Sequence, residues 1–167
     1  MPIEFLIFLT VFTPALVGGL NLIFDKNPNV RDAVTLLGAL ITFYFSANIF
    51  LGFDGQVTQY KLATIMPGID VSFHVEPLGI IFSLLASGLW ILTHIYAIGY
   101  MRGAKEKNHS RFFFFFSVSI ASVMGISFSG NLFTLFLFYE LLTLITCLLY
   151  TSPSPRDAIP SRMPSSA

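Results

Sequence analysis

The residue with the clearest chemical potential is Glu140, ninth in the run LFTLFLFYELLTLITCLLY (Leu132–Tyr150) and its only charged side chain. A central charge in a lipid-spanning helix costs about 2.5 to 3.5 kcal/mol on insertion scales, so such a group calls for a compensating role. At 3.6 residues per turn, Tyr139, Thr143, Thr146 and Cys147 share an arc of about 120° with Glu140, while leucines and phenylalanines fill most of the remainder. This arc predicts that Glu140 faces a polar interior or a hydrated cavity. Burial and a nearby cation pull a carboxyl's proton affinity in opposite directions, and a group held between them can take up and release protons near neutral pH. The competing reading is a protonated Glu140 that only hydrogen-bonds between helices.

His94, Tyr139 and Thr143 are the candidate neighbours on a polar path. His94 is read either as a neutral histidine hydrogen-bonded between helices, which is the simpler case, or as a direct participant in proton movement. Tyr139 and Thr143 either line the same cavity as Glu140 or satisfy helix backbone, and the second is again simpler. Cys147 is the only cysteine, and no Cys/His pairs stand at zinc-ligand spacing. No metal site, iron–sulfur site or other cofactor is therefore expected in this chain, nor a redox or hydrolytic centre.

The elements that position these groups follow from composition. The 167 residues are 54% apolar and 11% charged, against about 25% charged in soluble domains. A helix crossing the roughly 30 Å hydrocarbon core needs about 20 apolar residues. Five runs qualify, at about residues 5–24, 33–53, 77–101, 112–129 and 132–150, and no Lys or Arg lies inside any of them. The expected fold is an all-α polytopic membrane protein with five transmembrane helices, residues 1–150, and a strand-like outer loop at 54–76. The first run lacks the basic start and cleavage pattern of a secretory signal, so it is read as a mature helix. Nine basic residues balance nine acidic ones, giving no basic surface for nucleic acid.

Basic residues concentrate at 25–32 (Lys26, Arg31) and 102–111 (Arg102, Lys105, Lys107, Arg111), whereas the opposite side holds only Lys61. The positive-inside rule then places these two loops in the cytoplasm and the N-terminus outside a prokaryotic plasma membrane. In the outer loop, GIDVSFHVE alternates Ile69, Val71, Phe73 and Val75 with Asp70, Ser72, His74 and Glu76, which predicts a half-buried strand and a hairpin with QYKLATI across Pro67-Gly68. Pro77 suits the first turn of the next helix. Small residues at a spacing of four, Ser117, Ala121, Gly125 and Ser129 in one run and Gly79, Ser83 and Ser87 in another, predict protein-facing stripes, with His94 on the second. The aromatics of RFFFFF, from Arg111, are expected to be interfacial, lipid-facing anchors.

EPLGIIFSLLASGLWILTHIYAIGYMRG followed by RFFFFFSVSIASVMGISFSGNLFTLFLFYELLTLIT resembles the N-terminal part of the antiporter-like subunits shared by Mrp-type cation/proton antiporters, respiratory complex I and membrane-bound hydrogenases. NLFTLFLFYELLTL and IYAIGYM are most similar to the D subunit of the Mrp type. The resemblance covers about Met1 to Thr146. It implies that Glu140 is the family's essential fifth-helix acid, paired there with a lysine on a later helix. It also implies proton translocation with monovalent cation exchange, sodium included, among other subunits of a complex. Its alternative is a membrane-arm proton pump of NADH-quinone oxidoreductase or a hydrogenase, whose redox centres lie in partner subunits. A non-transporting membrane scaffold is the third reading. Glu76 stands where the family usually has Asp. From Cys147 the chain departs further, and the Pro/Ser-rich residues 151–167 are expected to be disordered and non-native, joined to a truncated frame that lacks the cation for Glu140.

Overall fold

The computed structural model describes residues 3–24, 27–55, 58–66, 69–104 and 109–150. Five helices, α1 (Ile3–Ile23), α2 (Pro28–Leu51), α3 (Pro77–Ala104), α4 (His109–Ser127) and α5 (Leu132–Tyr150), are joined by two strands, β1 (Thr58–Met66) and β2 (Ile69–Val75), between α2 and α3. Each helix contains a segment long and apolar enough to cross a membrane. The predicted Pro67-Gly68 turn and the tail 151–167 lie outside the described residues, as do Lys26, Lys105 and Lys107.

One helix start differs from its charge-free run in a way that matters for the charges. α2 begins at Pro28, so Arg31 and Asp32 belong to its first turns instead of to a loop. Proline at this position costs little because the first helical N–H groups lack partners anyway. The apolar run missed these residues because it stopped at the first charge. Arg31, like Arg111 at the start of α4, is therefore inside a candidate span, contrary to the sequence expectation.

Helices α1 to α4 form a bundle in which α1 packs on α2 and α4, and α3 packs on α2 and α4. α5 lies against the outer side of α4 and touches β2. The small-residue stripes are at these contacts. Ser83, Ser87, His94 and Ser117 are fully buried, and Ala121 nearly so. Gly125 accommodates the ring of Phe138, and Gly79 lies against the Ser127 carbonyl, so a Cβ at either site would collide with its neighbour. The expected protein-facing role of both stripes thus has a steric cause. The aromatic run behaves differently: Phe113 is fully buried, with its neighbours half-buried, which corrects the lipid-facing expectation for this ring.

The hairpin is antiparallel, pairing Tyr60 with Phe73 and Lys61 with Ser72, with irregularities after Lys61 and Thr64. β2 turns Phe73 and Val75 into a core with Leu6, Ile7, Val11, Ile49, Ile80, Met124 and Phe128. Its second edge is covered too. His74 N–H donates to the Phe128 carbonyl at 2.8 Å, and Gly130 N–H donates to the Ser72 carbonyl at 2.7 Å. The α4–α5 connection therefore acts as a third, short strand and removes an open edge that would otherwise pair with another chain. Asn131 completes the joint: its Oδ1 accepts from Thr134 N–H at 2.7 Å, capping α5, while its Nδ2 donates to the Asp70 carbonyl at 2.6 Å.

Candidate functional site

The direction of Glu140 is set by how α5 packs. Thr134, Phe138 and Ile145 lie on the side of α5 turned toward the bundle, with Thr134 and Ile145 buried and Phe138 seated over Gly125. Glu140 is on the opposite side and is exposed. Tyr139, Thr143 and Cys147 are exposed beside it, and Thr146 is half-buried. The polar arc is present, but it looks away from α1–α4, so the enclosed cavity expected for Glu140 is not formed by these helices. The stripe chosen for packing is the apolar one, which leaves the polar stripe outward.

Two hydroxyls of the arc bond to their own helix. Thr143 Oγ1 donates to the Tyr139 carbonyl at 3.0 Å, and Thr146 Oγ1 donates to the Leu142 carbonyl at 2.9 Å. Glu140 is thus the arc's principal group for outside chemistry, and among the described residues it makes no salt bridge.

His94 is elsewhere. It is fully buried on α3, its Nε2 lies 3.2 Å from the Asp32 carbonyl oxygen, and its ring meets Phe113 edge-on at 5.0 Å. Since a carbonyl only accepts, Nε2 carries the hydrogen in this contact. His94 therefore bridges α3 to α2 and packs on α4, while Glu140 is on the far face of α5; the two are not brought together.

Sequence reasoning missed the group around His94. Arg31 donates from Nε (3.1 Å) and Nη2 (2.9 Å) to Asp32 Oδ1 and from Nη1 (3.2 Å) to Ser110 Oγ. Its guanidinium lies 5.2 Å from the Phe113 ring centroid. Both charged residues are at most 5% exposed. This ion pair joins α2 to α4 and roofs the end of the bundle opposite the hairpin. The adjacency of Arg31 and Asp32 ahead of a long apolar helix was the available signal, but both were counted as loop charges. Among the described residues no three His, Cys, Asp or Glu side chains gather as a metal site.

Comparison with known proteins places this arrangement. Residues 65–113 match the family described as NADH-Ubiquinone oxidoreductase (complex I), chain 5 N-terminus. NAD(P)H-quinone oxidoreductase subunit 5 of Ipomoea purpurea chloroplasts is 29% identical over 90% of this chain and 23% of its own length. NADH-quinone oxidoreductase subunit L of Neisseria meningitidis is 31% identical over 70% of this chain and 18% of its own. Na(+)/H(+) antiporter subunit A1 of Staphylococcus aureus is 31% identical over 60% of this chain and 13% of its own. In fold, the chain superimposes on a subunit of the membrane-bound sulfane sulfur reductase, an archaeal respiratory membrane complex, with a TM-score of 0.73 at 16% identity, covering 89% of this chain and 23% of that one. The chain thus spans less than a quarter of the length of each of these proteins. Residues 65–113 are thus similar to the N-terminus of complex I chain 5, and the relatives of the chain are NADH-quinone oxidoreductase subunits L/5 and a Na(+)/H(+) antiporter subunit.

Proposed function

We propose that the chain forms the first five helices of a proton-translocating, antiporter-like subunit of a multisubunit membrane complex, with Glu140 as the acid that takes up and releases the proton. The observation that carries this reading is a carboxyl near the middle of α5, outside the packing interface, on an arc whose threonine hydroxyls are already bonded to backbone. Among the described residues such a group forms no salt bridge within α1–α5. It suits a water-bearing contact with a further, cation-bearing element, which lowers the cost of the charged form. Monovalent cation exchange, sodium included, is the coupled process in this reading. His94 enters only as a group that fixes the bundle, and Tyr139 and Thr143 shape the approach to Glu140.

The matched chain 5 domain and the quinone oxidoreductase relatives favour a second assembly for the same acid, a membrane-arm proton pump driven by redox subunits. Gene neighbours encoding small Mrp-type subunits, or flavin and iron–sulfur subunits, separate the two. The test of the acid itself is Glu140→Gln in the full-length subunit within its complex. Proton flux is expected to fall by at least an order of magnitude with assembly intact; flux at the parental level would instead assign Glu140 to helix contacts.

The proposed orientation puts the N-terminus outside and the loops at 25–32 and 102–111 in the cytoplasm. Single cysteines introduced at exposed positions of these segments, away from the buried Arg31 and Asp32, on a Cys147→Ser background should react with an impermeant maleimide only from inside.

A further inference from the structure

The centre of the α1–α4 bundle holds polar groups that neither the ion pair nor the α5 carboxyl uses. Asn21 Nδ2, Trp90 Nε1, His94 Nδ1 and Ser117 Oγ are all buried and have no hydrogen-bond partner among the described residues. Their residues are at most 1% exposed. Isolated, each would lose its solvation with nothing in return, a large standing penalty in one small bundle.

These groups fall in neighbouring turns of α1, α3 and α4. Thr35 Oγ1 donates to Asn21 Oδ1 at 2.9 Å, which ties α1 to α2 there. His94 meets the Asp32 carbonyl on α2 and the Phe113 ring on α4. Trp90 is one turn from His94 on the same face of α3, and Ser117 is one turn from Phe113 on α4. Because α3 and α4 run in opposite directions, both steps lead toward the hairpin. On α1, a Cβ at Gly18 would lie 3.4 Å from Ser117 Cβ, so Asn21, one turn away, sits beside the same crossing.

From this arrangement we infer an internal hydration site, lined by polar groups of α1, α3 and α4 beside α2, that binds water and not a metal cation. The donor and acceptor inventory decides the ligand. Trp90 Nε1 and Asn21 Nδ2 can only donate, His94 Nδ1 is an acceptor once Nε2 carries the hydrogen, and Ser117 Oγ does either. Water accepts from the first two and donates to the third, making the two to four bonds that buried waters make. A sodium ion would face two N–H donors, and the carboxylate beside the site, Asp32, is paired with Arg31. The charged groups packed nearest are Arg31 and Asp32 of α2, paired with each other; α1 contributes Asn21 and α4 contributes Phe113 and Ser117, none of them charged.

The site is also a closed end for protons. His94 Nε2–H points at a backbone carbonyl, which cannot take the proton onward, so water at Nδ1 holds the ring and does not feed a path through it.

X-ray hydroxyl-radical footprinting of the full-length subunit in its native membrane complex tests this, because radicals formed from bound internal water label buried side chains beside it. Trp90 is expected to be oxidised several-fold faster than Met124, which is equally buried but lies in the apolar cluster under the hairpin. Protection of Trp90 equal to that of Met124 would mean a dry core and would overturn the inference. Replacing sodium with choline should leave the Trp90 rate unchanged, whereas a sodium-dependent rate would make the site a cation site and overturn its assignment to water. Neither readout depends on transport, so both stand apart from the role proposed for Glu140.

Discussion

Glu140 and Arg31 are both charges in long apolar helices, and they meet that cost in opposite ways. Arg31 is internally compensated, with two bonds to Asp32, one to Ser110 and an aromatic face beneath it. Replacing Arg31 with Met would strip Asp32 of its guanidinium bonds while it stays buried, at an expected cost of about 3 to 5 kcal/mol. Thermal unfolding in detergent measures this, and a variant as stable as the parent would mean that Asp32 reaches solvent readily. Glu140 has no such compensation among the described residues, so Glu140→Gln is expected to leave the unfolding midpoint of the bundle unchanged while removing proton flux. On the hairpin, Lys61 Nζ lies 2.7 Å from Asp70 Oδ2. The hydrogen bond from Lys61, with a further one involving Thr64, holds the Asp70 carboxyl below its ordinary range, and the bond to Asp70 raises the Lys61 ammonium above its own. A lowered acid stabilises the fold above its unfolded value and loses that contribution as pH falls through the folded one. A raised base does so below its unfolded value and loses it as pH rises through the folded one. The pair therefore supports the hairpin between those limits, weakly because it is exposed. Hairpin amide protection, corrected for intrinsic exchange, should show an acid-side loss that Asp70→Asn abolishes.

At the scale of elements, α5 is positioned by two small features, not by its own long apolar surface. Phe138 over Gly125 sets its rotation, and the Asn131 cap with its bond to the Asp70 carbonyl sets its start. Gly125→Ala places a methyl against the body of an aromatic ring, so an overpacking loss of about 1 to 3 kcal/mol is expected, with α5 shifted on α4. Crosslinking yield between cysteines engineered across the α4–α5 contact reports that shift; unchanged yield would mean that Phe138 moves alone. Asn131→Ala removes a cap worth about 0.5 to 2 kcal/mol and also releases the hairpin, so faster amide exchange is expected in both the first turn of α5 and β2. Exchange confined to α5 would separate the two roles. The hairpin itself was legible from the alternation in GIDVSFHVE. Its second edge was not, because the pairing of Phe73 with Ser129 joins residues distant in sequence through a connection that reads locally as a turn.

Across the whole molecule, hydropathy and spacing were sufficient for the five helices, their order and the protein-facing stripes, because each depends on a period or a run length carried by neighbouring residues. They were also sufficient for the chemical type of Glu140 and for the arc that surrounds it. The side of the bundle on which that arc falls was decided only in three dimensions, since either stripe of α5 could have met α4 and the small residue at Gly125 selected the Phe138 side. The same holds for Arg31, Asp32, His94 and Phe113. In sequence they were two loop charges, a lone histidine and one of five phenylalanines, whereas folding converges them from three helices onto a single buried node. Charge-free runs and residue spacing describe one helix at a time, and long-range desolvation and hydrogen bonding, which made this node, exist only once the helices are packed.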